Sequence, residues 1–218
     1  MAGLKRQIAP AAPDDPLDAI RERLDRIEEA LERQQRTGQL VEAIVRRLFL
    51  DGVELPPHKR LWAARFGVTS QNGEDGLLLE VFRRIGATDR RFVEIGCGTN
   101  GGNSGFLARE VGWSGLMVDG NPGAVEKVAL RYASERVATA CHLVTRETIN
   151  DILTDGGFTG ELDLLSIDID GNDFWVWEAV TAATPRVVII EYNYLFGPLV
   201  PVDAEGRPGE PVPAEQAR

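Results

Sequence analysis

The chain is poor in cysteine and histidine, with two of each among its 218 residues. Cys97 and Cys141 can form at most one bridge, which excludes a disulfide framework, and Cys97 reads as a small residue inside a loop. His58 stands beside a double proline and His142 falls inside an expected strand, so neither is placed as a catalytic imidazole. Long apolar runs are missing too. None reaches the roughly 20 residues of a spanning helix. The opening Met1-Ala2-Gly3-Leu4-Lys5-Arg6-Gln7 passes into Pro- and Asp-rich sequence where a signal peptide needs an apolar core. The expectation is a cytoplasmic protein with no membrane partner. Positive charge is also scarce: 24 Lys and Arg stand against 34 Asp and Glu, for a net charge of −10. The resulting field repels phosphate backbones and argues against a nucleic-acid partner.

What is present suits one medium domain with extensions, since 43% of the residues are hydrophobic. We expect a disordered N-terminus at 1–16, a helical or coiled-coil arm at 17–50, a linker at 51–68, a globular domain at 69–198 and a disordered Pro/Gly-rich tail at 199–218. In the arm, Leu17, Ile20, Leu24, Ile27 and Leu31 alternate steps of three and four, and the seam passes through Gln34 and Gly38 before resuming at Val41, Val45 and Leu48. Homodimerisation through that seam and an amphipathic helix folded back onto its own domain are both open.

From Thr69 strand-like and helix-like segments alternate, predicting an α/β chain with a Rossmann-like, doubly wound and mostly parallel sheet. Asn72 is placed to cap a helix running through Arg84 and ending before Gly86. Strands are expected at 91–95, 115–119, 138–144, 163–168 and 186–191. In such sheets ligands gather beyond the strands' carboxyl ends, where Glu94, Asp119, Asp168 and Glu191 are all expected.

Phe92-Val93-Glu94-Ile95 runs straight into Gly96-Cys97-Gly98-Thr99-Asn100-Gly101, a strand followed by a glycine loop and then a helix. Glycines let the backbone turn sharply and approach a ligand, while free N–H groups at the helix start point toward it. Dinucleotide enzymes and S-adenosylmethionine (AdoMet) methyltransferases both use such turns, and a ligand-free tight turn is the alternative. Glu94 favours AdoMet, because a carboxylate there attracts an amino acid's ammonium and repels a pyrophosphate. Asp119, about twenty residues past Gly96, suits a carboxylate accepting both ribose hydroxyls; it also begins the turn Asp119-Gly120-Asn121-Pro122.

Asp168-Ile169-Asp170-Gly171-Asn172-Asp173 is the acid-richest strand end, followed one strand later by Glu191-Tyr192-Asn193. Asp168 or Asp170 with Glu191 and Asn193 could share a hard cation such as Mg²⁺, which would polarise a substrate hydroxyl. General-base work by Asp170 or Asp173 competes with that role, as does a turn capping a helix that begins near Phe174.

These blocks resemble class I AdoMet-dependent methyltransferases, and within them the FkbM-like O-methyltransferases. The resemblance spans about 69–198 and rests on Ser70-Gln71-Asn72-Gly73-Glu74-Asp75-Gly76, Phe92–Gly96, Gly112–Gly120 and Asp163–Asp173 in order. It implies that Glu94, Gly96 and Gly98 hold the methionine part of AdoMet and Asp119 the ribose, with Gln71 and Gly120 lining the same site. By the same resemblance Asn103 and Ser104 meet the cofactor carboxylate, though helix capping is an equal alternative. Asp168 or Asp170 would face the transferred methyl, with Asp173 beside them, and the acceptor would be a small molecule or glycan hydroxyl. Trp175, Trp177, Tyr192, Tyr194 and Phe196 could wall a sugar ring or belong to the core. The family's sheet has seven strands, whereas this sequence offers five. An NAD(P)-binding oxidoreductase and a non-catalytic, truncated scaffold therefore stand as alternatives.

Overall fold

The computed structural model describes residues 54–192, together with scattered helical positions between residues 17 and 44. Asn193, Tyr194, Phe196 and both expected disordered ends lie outside the described residues.

Ten elements follow in strict alternation from α1: α1 (Glu74–Ile85), β1 (Arg91–Ile95), α2 (Gly105–Val111), β2 (Ser114–Asp119), α3 (Pro122–Arg131), β3 (Val137–Cys141), α4 (Ile149–Asp155), β4 (Gly160–Ile167), α5 (Asp173–Ala179) and β5 (Ala183–Ile190). All pairings are parallel and the strand order is β3-β2-β1-β4-β5. The fold is thus α/β and Rossmann-like, with the order reversing between β1 and β4, where such sheets open a crevice.

The burial pattern explains why these segments become strands. β1, β2 and the second half of β4 are buried along almost their whole length, as expected of strands covered on both faces, whereas β3 and β5 are only partly buried at the edges. Alternate residues feed two cores. Val93, Ile95, Leu116, Val118, Leu165 and Ile167 pack with α4 and α5, while Phe92, Met117 and Leu164 pack with α1, α2 and α3. Pro185, which cannot donate to a ladder, sits in edge strand β5. Among the described residues no helix is long and apolar enough to cross a membrane.

Several local expectations are corrected. Gly73, at φ 89°, occupies the N-cap position of α1, and Asn72 instead donates its backbone N–H to Glu74 (2.9 Å). β3 stops at Cys141, which leaves His142 exposed in the following loop. β4 and β5 start earlier than their apolar runs, because backbone pairing continues through Gly160↔Ala183 and Glu161↔Thr184, where side chains need not be apolar. Within the expected linker, Trp62–Ala64 form a 3₁₀ turn. Phe66 accepts from the Gly76 N–H (3.1 Å) and meets Phe106 edge-on, so this segment packs against the domain.

Candidate functional site

Strand register builds the site. Ile95 pairs with Val118 and Ile167, and Ile167 with Ile190. The next residue of each strand is therefore Asp119, Gly96, Asp168 and Glu191, a row across the sheet's carboxyl edge in which the central position has no side chain. β3 adds Cys141 opposite Asp119. Gly96 is glycine for two reasons: its φ is +83°, and a Cβ there would lie 1.7 Å from the Asp168 carbonyl oxygen. The gap between β1 and β4 is closed from below by the Asp168 N–H donating to the Ile95 carbonyl (2.9 Å).

Glu94 lies below that row, fully buried. Its Oε1 accepts from the Asn103 N–H (3.1 Å) and the Ser166 hydroxyl (3.1 Å), and its Oε2 from the Ser104 N–H (3.0 Å) and the Ser104 hydroxyl. Burial pushes this carboxyl up to about 7, against the pull of those donors. Glu94 therefore fastens the glycine loop and the start of α2. The N–H groups of Asn103 and Ser104, expected to meet a cofactor carboxylate, are satisfied by Glu94. Ser104 takes the N-cap position of α2 without a side-chain cap bond. Asn103 Nδ2 donates to Ser166 Oγ (3.2 Å).

The loop is held on its outer side as well. Asn100 Oδ1 accepts from the Gly102 N–H (3.2 Å), Asn100 Nδ2 donates to the Thr69 carbonyl (2.9 Å), and the Tyr132 hydroxyl donates to the Asn100 carbonyl (2.6 Å). Buried Asp75 in turn accepts from the N–H groups of Val68, Thr69 and Ser70 and from the Thr69 hydroxyl. Asp75, Tyr132, Asn100 and Ser166 are supports that motif reading passed over. Ser166 is the β4 neighbour of Glu94 and shares its burial.

Asp119 serves two masters: Oδ2 accepts from the Gly98 N–H (2.9 Å) and Oδ1 from the Asn121 N–H (2.8 Å). Asn121 then caps α3 through Gly123 and Ala124, so the turn reading holds alongside any ligand role. Gly98, at φ +55°, and exposed Gly120 flank it, and a Cβ on either would make only ordinary contacts. Burial and the charges of Asp119 and Glu94 raise the Cys97 thiol to about 12, which makes it an inert packing group.

At the β4 end, the Asp173 carboxylate accepts from the N–H groups of Ile169 (2.8 Å) and Gly171 (2.9 Å) and thereby holds its own loop. Asn172 takes the N-cap position of α5 without a side-chain cap bond, and its buried Oδ1 has no donor. Asp170 adopts φ 58°, a left-handed conformation, and its N–H reaches Glu191 Oε2 (3.2 Å). Asp168 is raised above its ordinary range by partial burial and by the charges of Asp173, Asp170 and Glu74. Partial burial and the charges of Asp168, Asp173 and Asp170 raise Glu191 likewise. Glu74, in the Ser70–Gly76 block, adds its charge to Asp168, whereas Gln71 of the same block is exposed. Among the described residues none of these acids forms an ion pair.

Among the described residues no three His, Cys, Asp or Glu side chains are grouped to hold a metal ion, and Asn193 lies outside them. The acids present concentrate negative charge at the strand ends. Phe174, Trp177 and Tyr192 are exposed nearby, with Phe174 edge-on to Trp175 and Trp177. No protein-family model matches the chain, and no curated protein is significantly similar to it.

Proposed function

We propose that the chain is an AdoMet-dependent O-methyltransferase acting on a hydroxyl of a sugar, polysaccharide or natural-product acceptor. The observation that supports this reading is the row Asp119–Gly96–Asp168–Glu191, in which carboxylates without a basic partner among the described residues flank a position with no side chain. Partial burial and like charges raise Asp168 and Glu191, and a cationic ligand relieves the repulsion between them. AdoMet carries an ammonium and a sulfonium, whereas a dinucleotide brings a pyrophosphate. Glu94 also occupies the N–H groups of Asn103 and Ser104 just before α2 and places a carboxyl where a phosphate would approach.

When bound, the cofactor supplies an electrophilic methyl for attack by the acceptor oxygen. Asp119 accepts the ribose hydroxyls with lone pairs left after Gly98 and Asn121. Gly96 and Gly98 let the backbone approach. Asp168, kept basic by partial burial and by its acidic neighbours, takes the acceptor proton at its carboxylate. In-line positioning supplies most of the remaining rate.

Release of S-adenosylhomocysteine from AdoMet in the presence of hydroxylated acceptors tests the reading. Asp168→Asn should lower kcat by about 10²-fold or more while leaving affinity for S-adenosylhomocysteine within a few-fold. Equal kcat in both proteins would remove Asp168 from proton transfer.

A further inference from the structure

The described arm residues leave an apolar stripe in solvent. Ile20, Leu24 and Ile27 are each 53% exposed, Val41 is 55% and Leu31 is 58% exposed, so the helix is not folded back onto its own domain through them. An exposed apolar seam of this length is a contact surface.

Steps of three and four fix the heptad: Leu17, Leu24, Leu31 and Gly38 fall at a, and Ile20, Ile27, Gln34 and Val41 at d. The flanking g positions are Arg23, Ala30, Thr37 and Ile44, and Ile44 is 59% exposed. Small and apolar g residues widen the stripe beyond the narrow a/d seam that two strands require. Leucine at a with isoleucine at d disfavours the two-stranded geometry and shifts packing to higher order.

Gln34 sets the direction. In a parallel, in-register assembly it meets the amides of its own copies, whereas antiparallel alignments that keep the seam apolar place it against Leu17 or Leu31, where its amide is buried without a partner. In sequence register, Arg23 at g also meets Glu28 at the following e position of the neighbouring strand, an opposite-charge pair.

We propose that this stripe docks against the same stripe of three further copies, forming a parallel four-stranded coiled coil that carries four α/β domains. The occupant is this chain itself, and the inference is independent of the activity at the sheet edge.

Sedimentation equilibrium of the full chain tests it. The expected mass is four times the 23.9 kDa of one chain. Leu24→Asp/Ile27→Asp should reduce the mass to one chain with the thermal transition of the α/β domain retained. Exchanging the sets, Leu17, Leu24 and Leu31→Ile with Ile20 and Ile27→Leu, should halve the wild-type mass. A one-, two- or three-chain mass for the wild type overturns the proposal. So does an unchanged mass in the Asp variant, which would place the contact elsewhere, or in the exchanged variant, which would remove the a/d pattern as the determinant.

Discussion

Glu94 and Asp163 are both buried carboxylates, and their surroundings give them opposite pH dependences. Burial raises Glu94 from 4.5 to about 7, so the folded state prefers its protonated form. Its contribution to stability is complete below about 4.5 and is lost as pH rises through about 7. The melting temperature should therefore fall across that window, and Glu94→Gln should flatten the slope. The amide cannot accept from all four donors, so the variant should also lose about 1–3 kcal/mol at pH 5. An unchanged slope in thermal melts would show that Glu94 does not titrate there. Asp163 is pushed up by burial but held below its ordinary range overall by the N–H groups of Thr88, Arg90 and Asp89 and by Arg186, whose Nη1 lies 2.7 Å away. Its contribution is present above the ordinary carboxylate value and is lost as pH falls. Asp163→Asn should cost about 3 kcal/mol in urea unfolding at pH 7, since it leaves Arg186 half-buried beside a neutral group. Motif reading placed Asp163 only at a strand start. Its backbone partners precede β1 and Arg186 lies in β5, and no local pattern announces contacts that long in sequence.

The loop joining β1 to α2 shows which glycines the element requires. A Cβ on Gly96 meets the Asp168 backbone at 1.7 Å, whereas on Gly98 the nearest atom is Asn100 Oδ1 at 3.6 Å. Gly96→Ala should force β1 and β4 apart at their carboxyl ends, abolish S-adenosylhomocysteine binding and destabilise the domain by about 3 kcal/mol. Gly98→Ala meets only the left-handed backbone cost of about 1–2 kcal/mol and should remain folded. Calorimetric melts of the two variants compare them, and equal losses would contradict the close approach seen at Gly96. The loop was legible because glycine spacing after an apolar strand is a local signal. Its supports were less so: Asn100, Tyr132 and Asp75 meet through tertiary packing, and nothing in their own neighbourhoods marks them. The cap of α1 was misplaced by one residue at Asn72, because Gly73 supplies the left-handed backbone there, and Ser104 sits at the N-cap of α2 with its hydroxyl turned to Glu94.

In the whole molecule, alternation of apolar and helical segments was enough to read the parallel sheet, since strands covered on both faces carry near-continuous apolar runs. Register was not readable. It moves Glu94 below the acid row and puts Gly96 in its place, so Glu94 meets the donors of the β1–α2 loop instead of the sheet edge. The molecule thereby presents a negative edge interrupted by one bare position, and the proposed function rests on a cationic cofactor meeting that edge. Isothermal titration of the full chain with S-adenosylhomocysteine, with NAD⁺ as the control, tests that claim most directly. The account predicts saturable binding of S-adenosylhomocysteine that Asp119→Ala weakens about tenfold or more, with none of NAD⁺. Binding of NAD⁺ instead, or of neither ligand by a folded sample, would contradict it.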